Sequence, residues 1–125
     1  MDVMAIPIDN SVPILDATLW PFEKGTLVLP VAFYDESDPP VAVTPETLFY
    51  TLTTFDGVVI NEREDVSVTP GTTVNIILTG DDLLVGEFGT DRELAITGTY
   101  DSILANGLSL NQAVRFYIRP LAGVT

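Results

Sequence analysis

The chain of 125 residues contains no histidine and no cysteine, and only 5 basic side chains stand against 18 acidic ones. Without an imidazole or a thiol, a His-dependent triad, a zinc site of Cys and His, a thiol nucleophile and a disulfide framework are all excluded. The missing cysteine leaves the compartment open, since a disulfide-free fold of this size is stable on either side of a membrane. The basic residues Lys24, Arg63, Arg92, Arg115 and Arg119 stand singly among carboxylates, and 5 − 18 gives a net charge of −13. Phosphate recognition needs clustered Lys and Arg, so no nucleic acid is expected as a partner, and anionic membrane surfaces are disfavoured for the same reason. No apolar run approaches the roughly 20 residues that a spanning helix requires. The opening Met-Asp-Val-Met-Ala-Ile-Pro lacks the basic and apolar regions of a signal peptide, so any export is expected by another route.

What the chain does have is apolar residues. At 46% hydrophobic and 18% charged, it has either an unusually full core or apolar surface kept for a partner. The length suits a single domain, burying on folding roughly two-thirds of the surface its unfolded chain exposes.

Residues 1–24 carry Pro7, Pro13 and Pro21. Proline fixes φ and removes a backbone donor, so an extended N-terminal arm is expected rather than a helix. The arm is too apolar for a loose tail: Ile6, Ile8, Ile14, Leu15, Leu19, Trp20 and Phe22 are expected to dock on this domain or on a neighbouring subunit. Trp20-Pro21-Phe22, at the junction of arm and domain, has the make-up of an interface anchor. Ile14, Leu15, Leu19, Trp20 and Phe22 are therefore the candidate interface residues.

Residues 25–125 read as strands separated by turns. Thr26 to Tyr34 alternates with a proline at Pro30, which marks an edge or a bulge. A short extended piece covers Val41 to Val43, and Thr47 to Thr54 has one apolar face. Asp56-Gly57 then supplies a hairpin turn into Val58 to Asn61. Thr73 to Thr79 sets Val74, Ile76 and Leu78 apart from Thr73, Asn75, Ile77 and Thr79, and Gly80 to Leu84 suits a single helical turn. Leu94 to Tyr100 and Ala113 to Arg119 complete about seven strands, with no amphipathic helix and no internal repeat. The expected fold class is all-β, an antiparallel sandwich or barrel.

Carboxylates are the only plentiful reactive groups. An aspartic-protease signature is missing, because Asp56-Gly57 belongs to a turn and Gly89-Thr90-Asp91 runs in the wrong order. A glycosidase pair needs two carboxyls across a cleft, and no convergent acid and base can be told apart here, so no enzyme is expected. Calcium suits oxygen ligands, and Asp35/Glu36/Asp38, Glu62/Glu64/Asp65 and Asp81/Asp82 are the clusters to weigh. None follows a regular Asp-x-Asp-x-Asp-Gly loop, and solvated turn charges account for them better, so neither metal nor cofactor is expected. Most of Phe49, Tyr50 and Tyr117 is expected to be core rather than a sugar-binding face. Arg115 and Arg119, four apart in one strand, share a face and are expected to pair with acids across the sheet.

The run from Val31 to Ile60 resembles the opening strands of immunoglobulin-like sandwiches: a strand, an acidic turn, a Pro-flanked segment, and a strand ending in Asp-Gly. With Asn61 to Asp65, Ile77 to Leu83, Gly98 to Ser102 and Val114 to Arg119, it resembles small structural proteins of tailed bacteriophages over roughly residues 25 to 121. The resemblance implies an Ig-like β-sandwich of about seven strands acting as a virion component, made in the host cytoplasm: a capsid decoration or cement protein, or a head–tail or tail accessory protein. Its implied partners are other virion proteins and further copies of itself. The alternative is an extracellular or fibre-associated adhesion module binding carbohydrate or a host surface protein through its loops.

Overall fold

In a computed structural model, which describes residues 13–122, the chain is all-β and sandwich-like. The arm residues Ile6, Pro7 and Ile8 lie outside the described residues. Six strands occur among the described residues: β1 (Thr26–Ala32), β2 (Thr47–Thr53), β3 (Val66–Ser67), β4 (Thr73–Thr79), β5 (Asp91–Tyr100) and β6 (Leu108–Tyr117). They form two antiparallel sheets, one of β1 and β4, the other in the order β3-β2-β5-β6. Alternation drives this arrangement, since each strand turns every second side chain inward. Leu29, Val31, Ile76 and Leu78 of one sheet thereby join Leu48, Leu52, Ile96 and Phe116 of the other in one core. Gly98 lets β5 run close to β2, because a Cβ there would lie 2.1 Å from the Thr47 carbonyl oxygen. Among the described residues no helix is long and apolar enough to cross a membrane.

β1 stops at Ala32 and β6 at Tyr117, each two residues short of the expected end, and four larger shifts accompany them. β5 begins at Asp91, because Arg92 occupies an inward position in phase with Leu94 and Ile96 and is fully buried. β6 begins at Leu108, paired through to Tyr100. Val58 to Asn61 makes a single bridge, Thr53 to Val59, closed by two hydrogen bonds, Thr54 N–H to the Val58 carbonyl and Ile60 N–H to the Leu52 carbonyl. The chain then leaves β2 at Asn61 and Glu62, both at positive φ. Val66–Ser67, not anticipated as a strand, returns to pair with Phe49 and Tyr50.

Residues 13–24 lie along the sheet. Ile14 and Phe22 bridge in parallel to Arg115 and Arg119. Leu15 N–H donates to the Arg115 carbonyl and Glu23 N–H to the Arg119 carbonyl, both at 2.8 Å; Arg115 and Arg119 N–H donate back to Pro13 and Pro21. Between these two anchor points the chain bows out in a short 3-10 turn, Ala17–Leu19, capped by the Asp16 carboxylate on Thr18 N–H.

Candidate functional site

The five candidate interface residues divide between two directions. Leu15 and Trp20 turn inward and pack, half-buried, on the chain's own core. The indole N–H of Trp20 donates to the Leu15 carbonyl at 2.9 Å, and its ring lies 5.1 Å from that of Tyr117. Ile14, Leu19 and Phe22 turn outward and are each more than half exposed. The anchor motif is thus split: Trp20 and Pro21 face the domain, while Phe22 faces solvent with the Arg119 guanidinium 5.5 Å above its ring. Arg119 also donates to the Ala17 carbonyl and so clamps the bow of the arm; among the described residues it forms no ion pair with an acid. Arg115 does pair across the sheet, with Glu93 at 2.8 Å.

Pairing fixes the positions of the outward residues. Each end of the arm is held by two backbone hydrogen bonds to β6 or its continuation, and Trp20 pins the middle. Ile14, Leu19 and Phe22 are therefore three exposed apolar side chains on a segment whose backbone is held in place, which lowers the entropic cost of binding a partner.

A second exposed apolar group lies at one end of the sandwich, where the β1–β2 and β5–β6 connections meet. Ile103 is 87% and Leu104 70% exposed, and the Ser102 hydroxyl ties this loop to the Glu36 carboxylate at 2.8 Å. Here Asp101 beside Glu46 hydrogen-bonds with it and repels it, holding the Glu46 carboxyl above its usual range. The opposite effect, a hydrogen bond from Glu46 and another from Gly107 N–H, lowers Asp101.

The other end carries the buried charges. Asp82, almost wholly buried, accepts from Asn61 Nδ2 and Arg63 Nε at 2.8 Å on one oxygen and from Thr79 N–H at 3.0 Å on the other. Burial works to raise its carboxyl, but the bonds from Arg63, Asn61 and Thr79 together outweigh that and hold it below the usual carboxylate range. Arg92 donates to the carbonyls of Leu84, Asp91 and Gly89 at 2.7, 2.8 and 3.0 Å. Burial lowers its affinity for the proton, partly offset by Asp91; an arginine still stays protonated. Glu23, also buried, accepts from the N–H groups of Val85 and Leu121. These groups are spent on fixing the 80–91 loop and the chain end, and they face other parts of the same chain.

Of the acidic clusters weighed for calcium, Asp35 caps its own turn by accepting from Ser37 and Val41 N–H, Asp81 faces Lys24 at 3.8 Å, and Asp82 is consumed as above. Among the described residues no group of three or more carboxylates is placed to hold a metal ion. The arm's composition points to docking, but its split depends on residues 115–119 and the Asp82 cluster on Asn61 and Arg63, partners distant in sequence, while the Arg92 cluster depends on how the nearby 82–91 loop folds around it. Compared with protein-family models, curated proteins and solved structures, the chain has no match.

Proposed function

We propose that the chain is a non-enzymatic structural module of a phage particle, an Ig-like sandwich that binds other particle proteins through the outward side of its N-terminal seam. The observation that carries the binding role is the exposure of Ile14, Leu19 and Phe22 on a segment fixed by paired hydrogen bonds. Anchors of this kind concentrate binding energy, and a pre-ordered anchor loses little freedom on docking. The Ig-like reading is supported by the strand order, with β1 and β4 in one sheet and β3, β2, β5 and β6 in the other, joined by chain crossings between sheets. The particle itself rests on the resemblance of residues 25–121. Mass spectrometry of purified particles tests it: the chain is expected at a fixed copy number, and a Leu19→Ser/Phe22→Ser variant is expected to be left out. Particles that lack the wild-type chain would refute the reading.

The exposure of Ile103 and Leu104 favours a second reading, adhesion through the loop end. Saturable binding of the full chain to a glycan array, lost in Leu104→Ser, would replace the first reading with this one.

A further inference from the structure

The sheet of β1 and β4 differs from the rest of the molecule in one respect. Its outward side chains, Thr26, Val28 and Pro30 on β1 and Asn75, Ile77 and Thr79 on β4, are all exposed and all uncharged. Val28 and Ile77 are cross-strand partners, 50% and 54% exposed, so two large apolar side chains sit together at the middle of the face. From Val66 to Gly80, and again from Gly25 to Tyr34, no residue carries a charge.

The β4 strand is also an open edge. Among the described residues its backbone pairs with β1 alone, and the only other hydrogen bond to its backbone is at its end, where Thr79 N–H donates to the Asp82 carboxylate. Natural sheets guard such edges with lysine, proline, a bulge or a covering segment. β4 has no lysine, no proline and an unbroken register with β1, whereas β1 carries Pro30.

We infer that β4 is a self-association edge: two copies pair their β4 strands antiparallel about a two-fold axis, joining β1-β4 of one copy to β4-β1 of the other. Charge selects the occupant. Two chains of net charge −13 repel wherever their carboxylates come within a Debye length, about 8 Å at physiological salt, and this face brings none of its own to the contact. A two-fold axis through Ile76 sets Asn75 opposite Ile77 of the other copy, so that these two residues exchange the new backbone hydrogen bonds while Thr79 N–H stays on Asp82. That register keeps Val74, Ile76 and Leu78 inward in both copies and Asn75 and Ile77 outward. The pairing is independent of membership in a particle.

Sedimentation of the full chain over a wide concentration range tests the inference. Wild-type chain is expected to pass from monomer to dimer, Ile77→Lys to stay monomeric with an unchanged circular dichroism spectrum, and Phe22→Ser to dimerise like wild type. Because the chain has no cysteine of its own, a second measurement is independent of that variant's folding. Equal amounts of Asn75→Cys and Ile77→Cys chains, mixed and oxidised, are expected to give a mixed disulfide dimer faster than either chain alone. A wild-type chain that stays monomeric at every concentration would overturn the inference, as would a dimer that Ile77→Lys leaves intact.

Discussion

The two sheets treat their open edges in opposite ways. The four-stranded sheet ends at β6, and the chain covers one end of that edge itself: residues 13–24 run in parallel along residues 115–119, pinned by Trp20 and clamped by Arg119. The two-stranded sheet ends at β4, along which, among the described residues, no strand runs and only Asp82 meets the backbone, at Thr79. Both edges belong to strands with apolar inward faces, so hydrophobicity does not distinguish them. What differs is the polar rim. Just past β6, the Arg119 side chain grips the Ala17 carbonyl of the covering segment, while β4 offers only threonines, Asn75 and Ile77. An edge with polar grips is closed from within, and an edge with neither grips nor charges is left for another chain.

The largest effect is expected from opening the covered edge. A chain lacking residues 1–24 loses the burial of Leu15 and Trp20 and the four backbone bonds to residues 115 and 119. Two half-buried side chains of this size make that roughly 3–5 kcal/mol in denaturant unfolding, with new association through the bared β6 edge. If the truncated chain is as stable as the full one, the seam is not part of the fold.

Next comes the root of the open strand. Thr79 ends β4 with its N–H on Asp82, and Arg63 and Asn61 hold the same carboxylate. Asp82→Ala is expected to cost about 3 kcal/mol, the scale for removing one partner of a buried pair. The same group sets a pH dependence. Its folded-state pKa is lowered, so its contribution to stability is fully present above the unfolded-state value near 4 and is lost as pH falls through the lower folded value. Acid titration of stability should therefore be shallower in Asp82→Ala than in wild type, and equal slopes would count against the Asp82 assignment.

A smaller step loosens the covered edge without removing it. Trp20→Ala is expected to cost about 2 kcal/mol, below the range for a fully buried tryptophan because Trp20 is half-buried. As the chain has a single tryptophan, its fluorescence reports the seam directly: a blue-shifted emission in wild type should move to the red in Arg119→Ala as the clamp opens. The smallest effect on stability belongs to Ile77→Lys, within about 0.5 kcal/mol, because the side chain points to solvent; its consequence is for association alone.

Legibility in the sequence followed the range of the interactions. β2 and β4 were readable nearly to the residue, because each alternates apolar and polar positions without a break. Arg92 hid the start of β5, since a guanidinium at an inward position looks like a loop charge until the carbonyls of Leu84 and Gly89 are seen around it. Val58 to Asn61 looked like a full strand after the Asp-Gly turn, but Asn61 and Arg63 are drawn away to Asp82. In the arm, the composition indicated docking and left the direction open. Leu15 meets Arg115, and Trp20 meets Tyr117, partners from the opposite end of the chain. Ile77, by contrast, was visible as an apolar residue in the polar phase of its strand, a local sign of a face that is not meant for water.

Amide hydrogen exchange of the full chain, at low and at high concentration, compares the two edges in one experiment. The seam amides of Leu15, Glu23, Arg115 and Arg119 should be protected equally at both concentrations, while the β4 amides of Asn75 and Ile77, which point away from β1, should gain protection only at the higher one. Outward β4 amides that exchange at the same rate at both concentrations, or seam amides as open as those of a loop, would contradict the division into an edge closed from within and an edge closed by a second copy.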